Sequence, residues 1–133
     1  MATNVTGGPH DTPVLDAETE PFFAAAKKGK LLVRRCRQCS ERHWYPRALC
    51  PFCQADTDWE ECSGDGVIYS VSVTRRAGPV PYAIAYVTIA EGVTMLTNII
   101  DCDVDDLRIG QPVRVCFRDS SEGVTVPMFT VNA

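Results

Sequence analysis

The chain has 133 residues, near the usual size of one domain, and 45% are hydrophobic, which suffices for a core and excludes a disordered protein. Its net charge of −4 is uneven, because residues 27–47 hold eight of the thirteen Lys and Arg and one acid, Glu41. This segment carries +7 and the rest −11, which suits a small anionic partner better than a long polyanion. Alternatively, these cations offset nearby metal-bound thiolates.

The N-terminal region shows no charged start followed by an apolar run. No stretch approaches the roughly 20 apolar residues that a membrane span requires. We therefore expect no signal peptide and no transmembrane segment, and a location in the reducing cytoplasm. Residues 1–15 contain Gly, Pro, Thr and Asn without periodicity, which predicts a flexible arm.

The next segment, DAETEPFFAAAKKGK, predicts a short helix over about residues 18–28. Pro21 fits a first helical turn, the alanine run favours helix, and Gly29 can end it. Phe22 and Ala26 share one face of this helix at the i, i+4 spacing. A helix with so few turns must dock, either on the body of the protein or on a partner.

A predicted strand over residues 30–37 leads into four cysteines with the spacing C-x-x-C, ten residues, C-x-x-C. Each close pair can wrap a knuckle around one ion, and the intervening residues let the second knuckle complete a tetrahedron of sulfurs. Four thiolates leave no open position for water or substrate, so we predict a structural zinc ribbon, with rubredoxin-like iron as the alternative metal. The predicted ligands are Cys36, Cys39, Cys50 and Cys53.

A disulfide framework is the other interpretation of these cysteines. The chain has seven cysteines, an odd number, and no visible signal peptide, and both features disfavour it. The remaining three, Cys62, Cys102 and Cys116, have no partner spacing and are predicted to be ordinary small side chains.

Between the two knuckles, Trp44, Tyr45 and Arg47 form a candidate binding surface, because these residue types are favoured where interfaces concentrate their energy. The alternative is that Trp44 and Tyr45 pack the joint between the ribbon and the rest of the protein. His43, in the same loop, is predicted to lie at the surface, since four better-spaced thiolates already fill the metal site.

The second half of the chain changes to strand periodicity. Five short strands followed by turns fit a small Greek-key barrel of the OB type, with an SH3-like barrel or a sandwich as alternatives. The predicted fold class is mainly β, with a short N-terminal helix, a four-cysteine zinc ribbon and a five-stranded OB-like barrel. The predicted domains are a flexible arm at 1–15, helix and ribbon at 16–62 and barrel at 63–133. The predicted strands cover residues 66–75, 82–89, 93–100, 112–118 and 124–131.

The first of these strands alternates cleanly along the sequence. We expect Val67, Tyr69, Val71 and Val73 on one face, with Ile68 and neighbouring polar residues on the other.

Candidate catalytic groups are few. The chain has two histidines, His10 in the predicted arm and His43 in the ribbon loop, and neither a nucleophile-elbow serine nor a Gly-rich phosphate loop. Arg75 and Arg76 form a second cationic position that could hold an anionic cofactor tail. Adjacent strand residues point to opposite faces, so at most one of the two would serve.

Several motifs follow one another along the chain: the Phe-containing helix, GKLLVRRCRQC, YPRALCPFC, W-x-E-x-S-G-x-G-x-I-Y-S at residues 59–70, and the later Glu91-Gly92, Thr97-Asn98, Gly110-Gln111-Pro112-Val113 and Pro127-Met128-Phe129. Together, over roughly residues 16–131, they resemble the motifs of the zinc-ribbon and OB-fold acyl-CoA-associated proteins. One departure is Ser40, where a knuckle often has Gly after its second cysteine.

The resemblance implies a non-catalytic partner of thiolase-fold enzymes or of acyl-CoA hydratases, including aldolases that shorten sterol side chains. In such hetero-oligomers the thiolase-like subunit supplies the catalytic residues, and the ribbon–OB subunit stabilises it and helps form its acyl-CoA channel. The chain is then no enzyme itself, carries structural zinc, and serves lipid or steroid metabolism. Candidate contacts with CoA or the partner are Phe22, Phe23, Trp44, Tyr45, Arg47 and Arg75.

A nucleic-acid-binding module is the alternative function, because ribbons and OB barrels both commonly hold RNA or single-stranded DNA. Against it, residues 64–133 carry five basic and eight acidic residues, and the predicted strands offer few aromatic platforms. Electron transfer by an iron-loaded site is a third possibility.

Overall fold

The computed structural model describes residues 13–75 and 81–131, together with the backbone of Asn4–Val5. The predicted arm therefore lies largely outside the described residues, as do His10 and Arg76. No described helix has the length and apolar character that crossing a membrane demands. The elements in chain order are β1 (Asn4–Val5), α1 (Glu20–Lys27), β2 (Leu31–Cys36), β3 (Arg42–His43), β4 (Thr57–Cys62), β5 (Asp65–Thr74), β6 (Tyr82–Ile89), β7 (Thr94–Ile99), β8 (Cys102–Asp103), the 3₁₀ turn Val104–Asp106, β9 (Pro112–Asp119) and β10 (Thr125–Val131).

The predicted helix is confirmed as α1. Its start is organised by Asp16, whose carboxylate accepts hydrogen bonds from the Thr19 backbone N–H at 2.9 Å and from the Thr19 hydroxyl at 3.1 Å. Gly29 follows its end with φ +77°, a left-handed conformation that glycine adopts without strain. Phe22 and Ala26, on the shared face, are both buried, so the helix docks on the body of the protein.

The ribbon is a three-stranded sheet in the order β3-β2-β4. Strand β2 runs antiparallel to β4, with a register from Leu31 opposite Cys62 to Cys36 opposite Thr57. Leu31 and Val33 are fully buried on one side of β2, as expected for alternating side chains. The end of β2 delivers Cys36 to the metal-binding knuckles.

The barrel is closed, with the strand order β10-β7-β6-β5-β9 and a return from β9 to β5. Its pairs are antiparallel except β10 with β7, which run parallel where Phe129 lies opposite Ile99. Closure removes the sheet edges and excludes the sandwich alternative. The five predicted strands are confirmed, and the fold class is the predicted one.

One apolar core runs through both parts of the chain. Phe22 from α1 and Leu31 and Val33 from β2 belong to the same buried cluster as the barrel interior. The division at residue 63 therefore remains a prediction about independent folding. The barrel contributes Ile68, Ala83, Ala85, Val87, Ile89, Met95, Ile99, Val113, Met128 and Phe129 to this cluster.

The predicted single face for β5 is wrong. The register with β6 shifts after Ile68, which leaves Tyr69 in a bulge that has no partner in β6. Before the bulge Ile68 points inward, at 1% exposure, while Val67 and Tyr69 are 42% and 66% exposed. After it, Val71 and Val73 pack against the core. The extra residue exchanges the two faces halfway along the strand.

Candidate metal centre and adjoining surfaces

The four predicted ligand cysteines converge on one point. Their sulfur atoms all lie within 4.8 Å of one another. The Cys36 and Cys53 Sγ atoms are 3.4 Å apart, those of Cys39 and Cys50 are 3.7 Å apart, and all seven cysteines of the chain are free. A tetrahedral ion with metal–sulfur bonds of about 2.3 Å would place its sulfurs about 3.8 Å apart. The donor set therefore fits one tetrahedral metal ion, and no disulfide is present.

Backbone N–H groups surround the ligand sulfurs. Those of Gln38 and Cys39 each donate to Cys36 Sγ at 3.3 Å, and that of Phe52 donates to Cys50 Sγ at 3.4 Å. The Cys39 N–H, followed by that of Gln38, lowers the pKa of the Cys36 thiol to about 6. Such hydrogen bonds favour the thiolate, the form that binds metal.

The two knuckles have the same backbone plan. In each, the N–H of the first cysteine, Cys36 or Cys50, donates to the carbonyl five residues further along, at 2.9 and 2.8 Å. The residues that follow the second cysteines, Ser40 and Gln54, both have φ +64°. This left-handed conformation is the one in which glycine is favoured, so Ser40 adopts the knuckle geometry at a modest conformational cost.

The basic segment is largely neutralised within the ribbon. Three carboxylates of β4 pair with four cations, which lie in β2, in β3 and at the two positions that flank β2. Arg34 uses a different contact, because its guanidinium stacks 4.1 Å from the centre of the Trp59 ring. The ion pairs are Lys30–Glu61 at 3.5 Å, Arg35–Glu60 at 3.4 Å, Arg37–Asp58 at 2.8 Å and Arg42–Glu60.

This pairing was not among the sequence-based interpretations of the charge. Those interpretations invoked an anionic partner or the metal thiolates, whereas the counter-charges here are the acids of the neighbouring strand. Within residues 27–47, all of which the structure describes, Lys27, Lys28 and Arg47 are the cations left exposed without an ion pair or a ring contact.

The prediction that His43 lies at the surface is wrong. The side chain is only 6% exposed, and neither ring nitrogen has a hydrogen-bond partner. Burial lowers the pKa of His43, an effect that the nearby Arg47 backbone opposes without reaching hydrogen-bond geometry. The β2–β3 pairing turns this residue inward, which the loop sequence alone could not reveal.

The aromatic contact candidates separate into buried and accessible groups. Phe22 is 3% exposed, and its ring centre lies 4.7 Å from that of Trp44, which packs partly buried against the core. Trp44 therefore fills the joint between helix, ribbon and barrel, as the packing alternative predicted, whereas Tyr45 is 47% exposed. Phe23 is half-buried beside them.

The remaining contact candidates are arginines, which lie in different parts of the fold. Arg47 is exposed in the ribbon, close to the second knuckle. Arg75 lies at the end of β5 in the barrel, where it pairs with Asp105 at 2.6 Å.

The barrel carries an exposed apolar surface that was not predicted from the sequence. Strand β6, YAIAYVTI, buries its small alanines and exposes Tyr82, Ile84 and Tyr86. Next to it, Leu96 of β7 is also exposed. The alternation of large and small residues was the available signal, but both sets are apolar, so hydrophobicity could not show which faces inward. The expectation of few aromatic platforms needs correction here.

A tetrathiolate ribbon joined to a closed five-stranded barrel defines a class of protein, the metal-ribbon OB-fold proteins. Two family models match in succession: the rubredoxin-like zinc ribbon domain of ChsH2 over residues 23–60 and its C-terminal OB-fold domain over residues 59–118. A DUF35 domain-containing scaffold protein of Methanocaldococcus jannaschii is 35% identical over 105 residues, which are 71% of this chain and 74% of that relative. The chain belongs to this ChsH2-type DUF35 family.

A solved structure, the Ltp2-ChsH2(DUF35) aldolase, is similar at a TM-score of 0.79 and 30% identity, covering 90% of this chain and 98% of that one. A DUF35 protein of unknown function from Sulfolobus solfataricus shares the fold at a TM-score of 0.65 and 16% identity, over 87% and 86% of the two chains. A probable enoyl-CoA hydratase alpha subunit of Thermomonospora curvata is 31% identical over 122 residues. That match covers 88% of this chain and 38% of the relative's length.

Proposed function

We propose that this chain is a non-catalytic accessory subunit, which binds and stabilises a thiolase-fold enzyme and helps form its acyl-CoA channel. The enzyme would be an acyltransferase, a thiolase or a side-chain aldolase. The observation that carries the proposal is the similarity over 98% of a chain from an Ltp2-ChsH2 aldolase structure. Relatives described as scaffold proteins agree with a role in assembly rather than in chemistry.

The metal centre supports a structural role. We propose Zn²⁺ as its occupant, held by Cys36, Cys39, Cys50 and Cys53, since four thiolates saturate a tetrahedral ion and leave no position for substrate. In the described part of the chain, these cysteines are the one cluster of metal-binding side chains. We place the protein in the cytoplasm, where paired cysteines hold metal more often than each other.

The length of the hydratase relative also supports an accessory role. This chain spans 38% of that relative's length, so the ribbon–barrel unit there forms part of a larger polypeptide. A unit that occurs with different companions is more easily understood as an assembly module than as the source of one chemistry.

The burial of each side chain decides which of the predicted contact residues can reach a partner. Phe23, Trp44, Tyr45 and Arg47 remain at least partly accessible, and we propose them as contacts with the partner or with CoA. Phe22 does not belong to this set, because it lies in the core. Arg47 would serve the phosphates of CoA, since it has a free guanidinium beside the ribbon. Arg75 would have to break its ion pair with Asp105 before it could bind a CoA phosphate.

Nucleic-acid binding stays as a second candidate, because Tyr82 and Tyr86 are exposed on β6 and every base can stack on an aromatic ring. Its weakness is electrostatic: no charged side chain accompanies these tyrosines on β6. Fluorescence titration with a fluorescein-labelled oligo-dT should show no binding at low salt, and tight, salt-dependent binding would favour this candidate.

The proposal is tested by comparing the chain alone with the chain co-expressed with a thiolase-fold subunit from its own source. Alone, it should show no turnover of acyl-CoA thioesters, and together the two should co-elute and show activity that the enzyme subunit lacks by itself. Enzyme-like turnover by the chain alone would contradict the proposal. So would a thiolase-fold subunit that is equally stable and active without it.

A further inference from the structure

The outer surface of the barrel carries a compact apolar patch over β6 and β7. Its members, named here the Leu96 face, are Tyr82, Ile84, Tyr86 and Leu96, which are 38%, 36%, 47% and 52% exposed. These large side chains alternate along β6 and β7 with the buried residues that already fill the core. Packing inside this chain therefore does not explain them.

Strand register makes the Leu96 face continuous. Tyr86 lies directly opposite Leu96, and Ile84 is the diagonal neighbour of Leu96, so the three side chains are cross-strand neighbours on one face of the sheet. On the other side, Ser72 lies opposite Ile84 and Ser70 opposite Tyr86, which adds small hydroxyls beside the large apolar groups. Together they line a shallow depression of about 120 Å³.

Leu96 also connects this depression with a second one of about 110 Å³ at the joint of helix, ribbon and barrel. The second depression is lined by Phe23 and Trp44, two of the partner-contact candidates, and by Pro127 of β10. The apolar surface thus extends from β5 across the barrel to α1.

Charge distinguishes this surface from the ribbon. Across β5, β6 and β7, the one charged residue is Asp65, which pairs with Arg114 of β9 at 2.5 Å, on the side of β5 away from β6. An uncharged surface with tyrosines and aliphatic side chains has the composition of the buried centre of a protein–protein interface. A strand of nucleic acid would instead require cations along its backbone.

The shape of the surface excludes a small-molecule pocket. Two open depressions of about 120 and 110 Å³ are well below the roughly 300–1,000 Å³ that sites for small molecules usually enclose. A second copy of this chain is disfavoured by its net charge of −4, because two identical acidic chains repel each other. A different folded protein with an apolar, uncharged patch satisfies both constraints.

We propose that the Leu96 face is the surface on which the enzyme subunit of the complex docks, with Leu96 near the centre of the contact. This inference rests on the proposed function for the existence of that subunit. It adds that the Leu96 face is the surface of this chain that is used. It also predicts that the enzyme surface in contact with it is apolar and uncharged, and that binding does not depend on the cations of the ribbon.

The test uses the complex of this chain with a co-expressed, identified thiolase-fold subunit. Leu96→Lys and Ile84→Lys each place a charge in the centre of the face, at positions exposed enough to leave the fold intact. Ile109→Lys is the matched control, because Ile109 is 72% exposed. It directly precedes Gly110 and Gln111, whose backbone groups bond to Ile68 on the edge of β5 that faces β9 and not β6. Thermal unfolding of each isolated variant verifies its fold.

We expect each face variant to weaken the complex by about tenfold or more, while Ile109→Lys binds like the wild type. Hydrogen exchange of the wild-type complex should show new protection in peptides over residues 82–99. If Leu96→Lys and Ile84→Lys bind the enzyme subunit as tightly as the wild type, and those peptides of the wild-type complex gain no protection, the inference is overturned and the accessory role stays intact. Absence of any wild-type complex overturns the accessory role itself. A homodimer that Leu96→Lys dissociates would assign the face to a second copy and overturn the inference.

Discussion

The ribbon and the barrel are stabilised in different ways. The ribbon depends on four converging thiolates and on a sheet whose cations pair with the carboxylates of β4. The barrel depends on a closed sheet around an aliphatic interior, and the outer surfaces of β6 and β7 carry no charge. The comparison teaches that the strongly basic ribbon pairs most of its cations internally, whereas the barrel, whose strands carry little charge, presents the continuous apolar surface of the Leu96 face.

The two regions meet through specific contacts as well as through their shared core. Arg42 in the ribbon pairs with Glu60 and also donates to the Glu91 backbone carbonyl in the β6–β7 turn, at 3.4 Å. The Glu91 carboxylate in turn accepts the Ser63 N–H at 3.0 Å. These bonds fix the orientation of the ribbon on the barrel. The comparison can therefore be tested by damaging each region separately.

The largest effect is expected from the metal site. Cys36→Ser removes one ligand, and structural zinc contributes on the order of 10–16 kcal/mol of binding free energy that is coupled to folding. We expect zinc to be lost and the ribbon to unfold while the barrel stays folded. Native-state hydrogen exchange resolved by peptide measures both regions at once.

Cys116→Ser is the control for this experiment, because Cys116 is a half-buried barrel thiol outside the metal cluster. It should retain zinc and protection throughout. If Cys36→Ser removed protection from the barrel as well, the domain division at residue 63 would be wrong.

An intermediate effect is expected at the connection between ribbon and barrel. Gly64 has φ +90°, and a Cβ placed there would lie 2.5 Å from Cγ1 of Val115. Gly64→Ala therefore combines backbone strain with overpacking and should reduce the free energy of unfolding by about 2–4 kcal/mol.

Gly29→Ala provides the comparison for this prediction. Gly29 also has a positive φ, +77°, but a Cβ there would meet nothing within 4 Å, so the loss should be about 1 kcal/mol. Urea unfolding at constant zinc concentration measures both variants. Equal losses would show that the contact with Val115 relaxes at no cost.

Local patterns in the sequence predicted much of this structure. The metal site was predictable because its ligands belong to two short knuckles, whose spacing alone indicates a four-thiolate site. Strands such as Tyr82–Ile89 were predictable in extent because apolar runs between turn residues determine their limits. The family resemblance added the order of the parts.

Long-range pairing accounts for what could not be predicted. The inward turn of His43 depends on strand β2, the ion pairs of the ribbon depend on the register of β4, and the bulge at Tyr69 depends on β6. None of these partners is a near neighbour in sequence. Both sides of β6 are apolar, so the choice of core face depended on closure of the barrel.

The smallest effect concerns His43 and the pH dependence of the ribbon. Its pKa in the folded protein is lowered from 6.5, first of all by burial. The unfolded chain therefore binds a proton more readily, so the contribution of this residue is fully present above about pH 6.5 and is lost as the pH falls below that value.

Thermal unfolding at pH 7.5 and at pH 5.5 measures this effect. His43→Phe removes the titrating group, so its melting temperature should fall less between the two pH values than that of the wild type. Protonation of the metal thiolates affects both proteins alike. An identical decrease in the two proteins would show that His43 does not titrate in this range.

The accessory role is tested most directly by affinity purification of the tagged protein from its native lysate, followed by mass spectrometry of the co-purifying proteins. Our account predicts a thiolase-fold enzyme in stoichiometric amount, and the identity of that enzyme would define the reaction. Recovery of RNA- or single-stranded-DNA-processing proteins, without a thiolase-fold subunit, would contradict the account and favour the nucleic-acid-binding alternative.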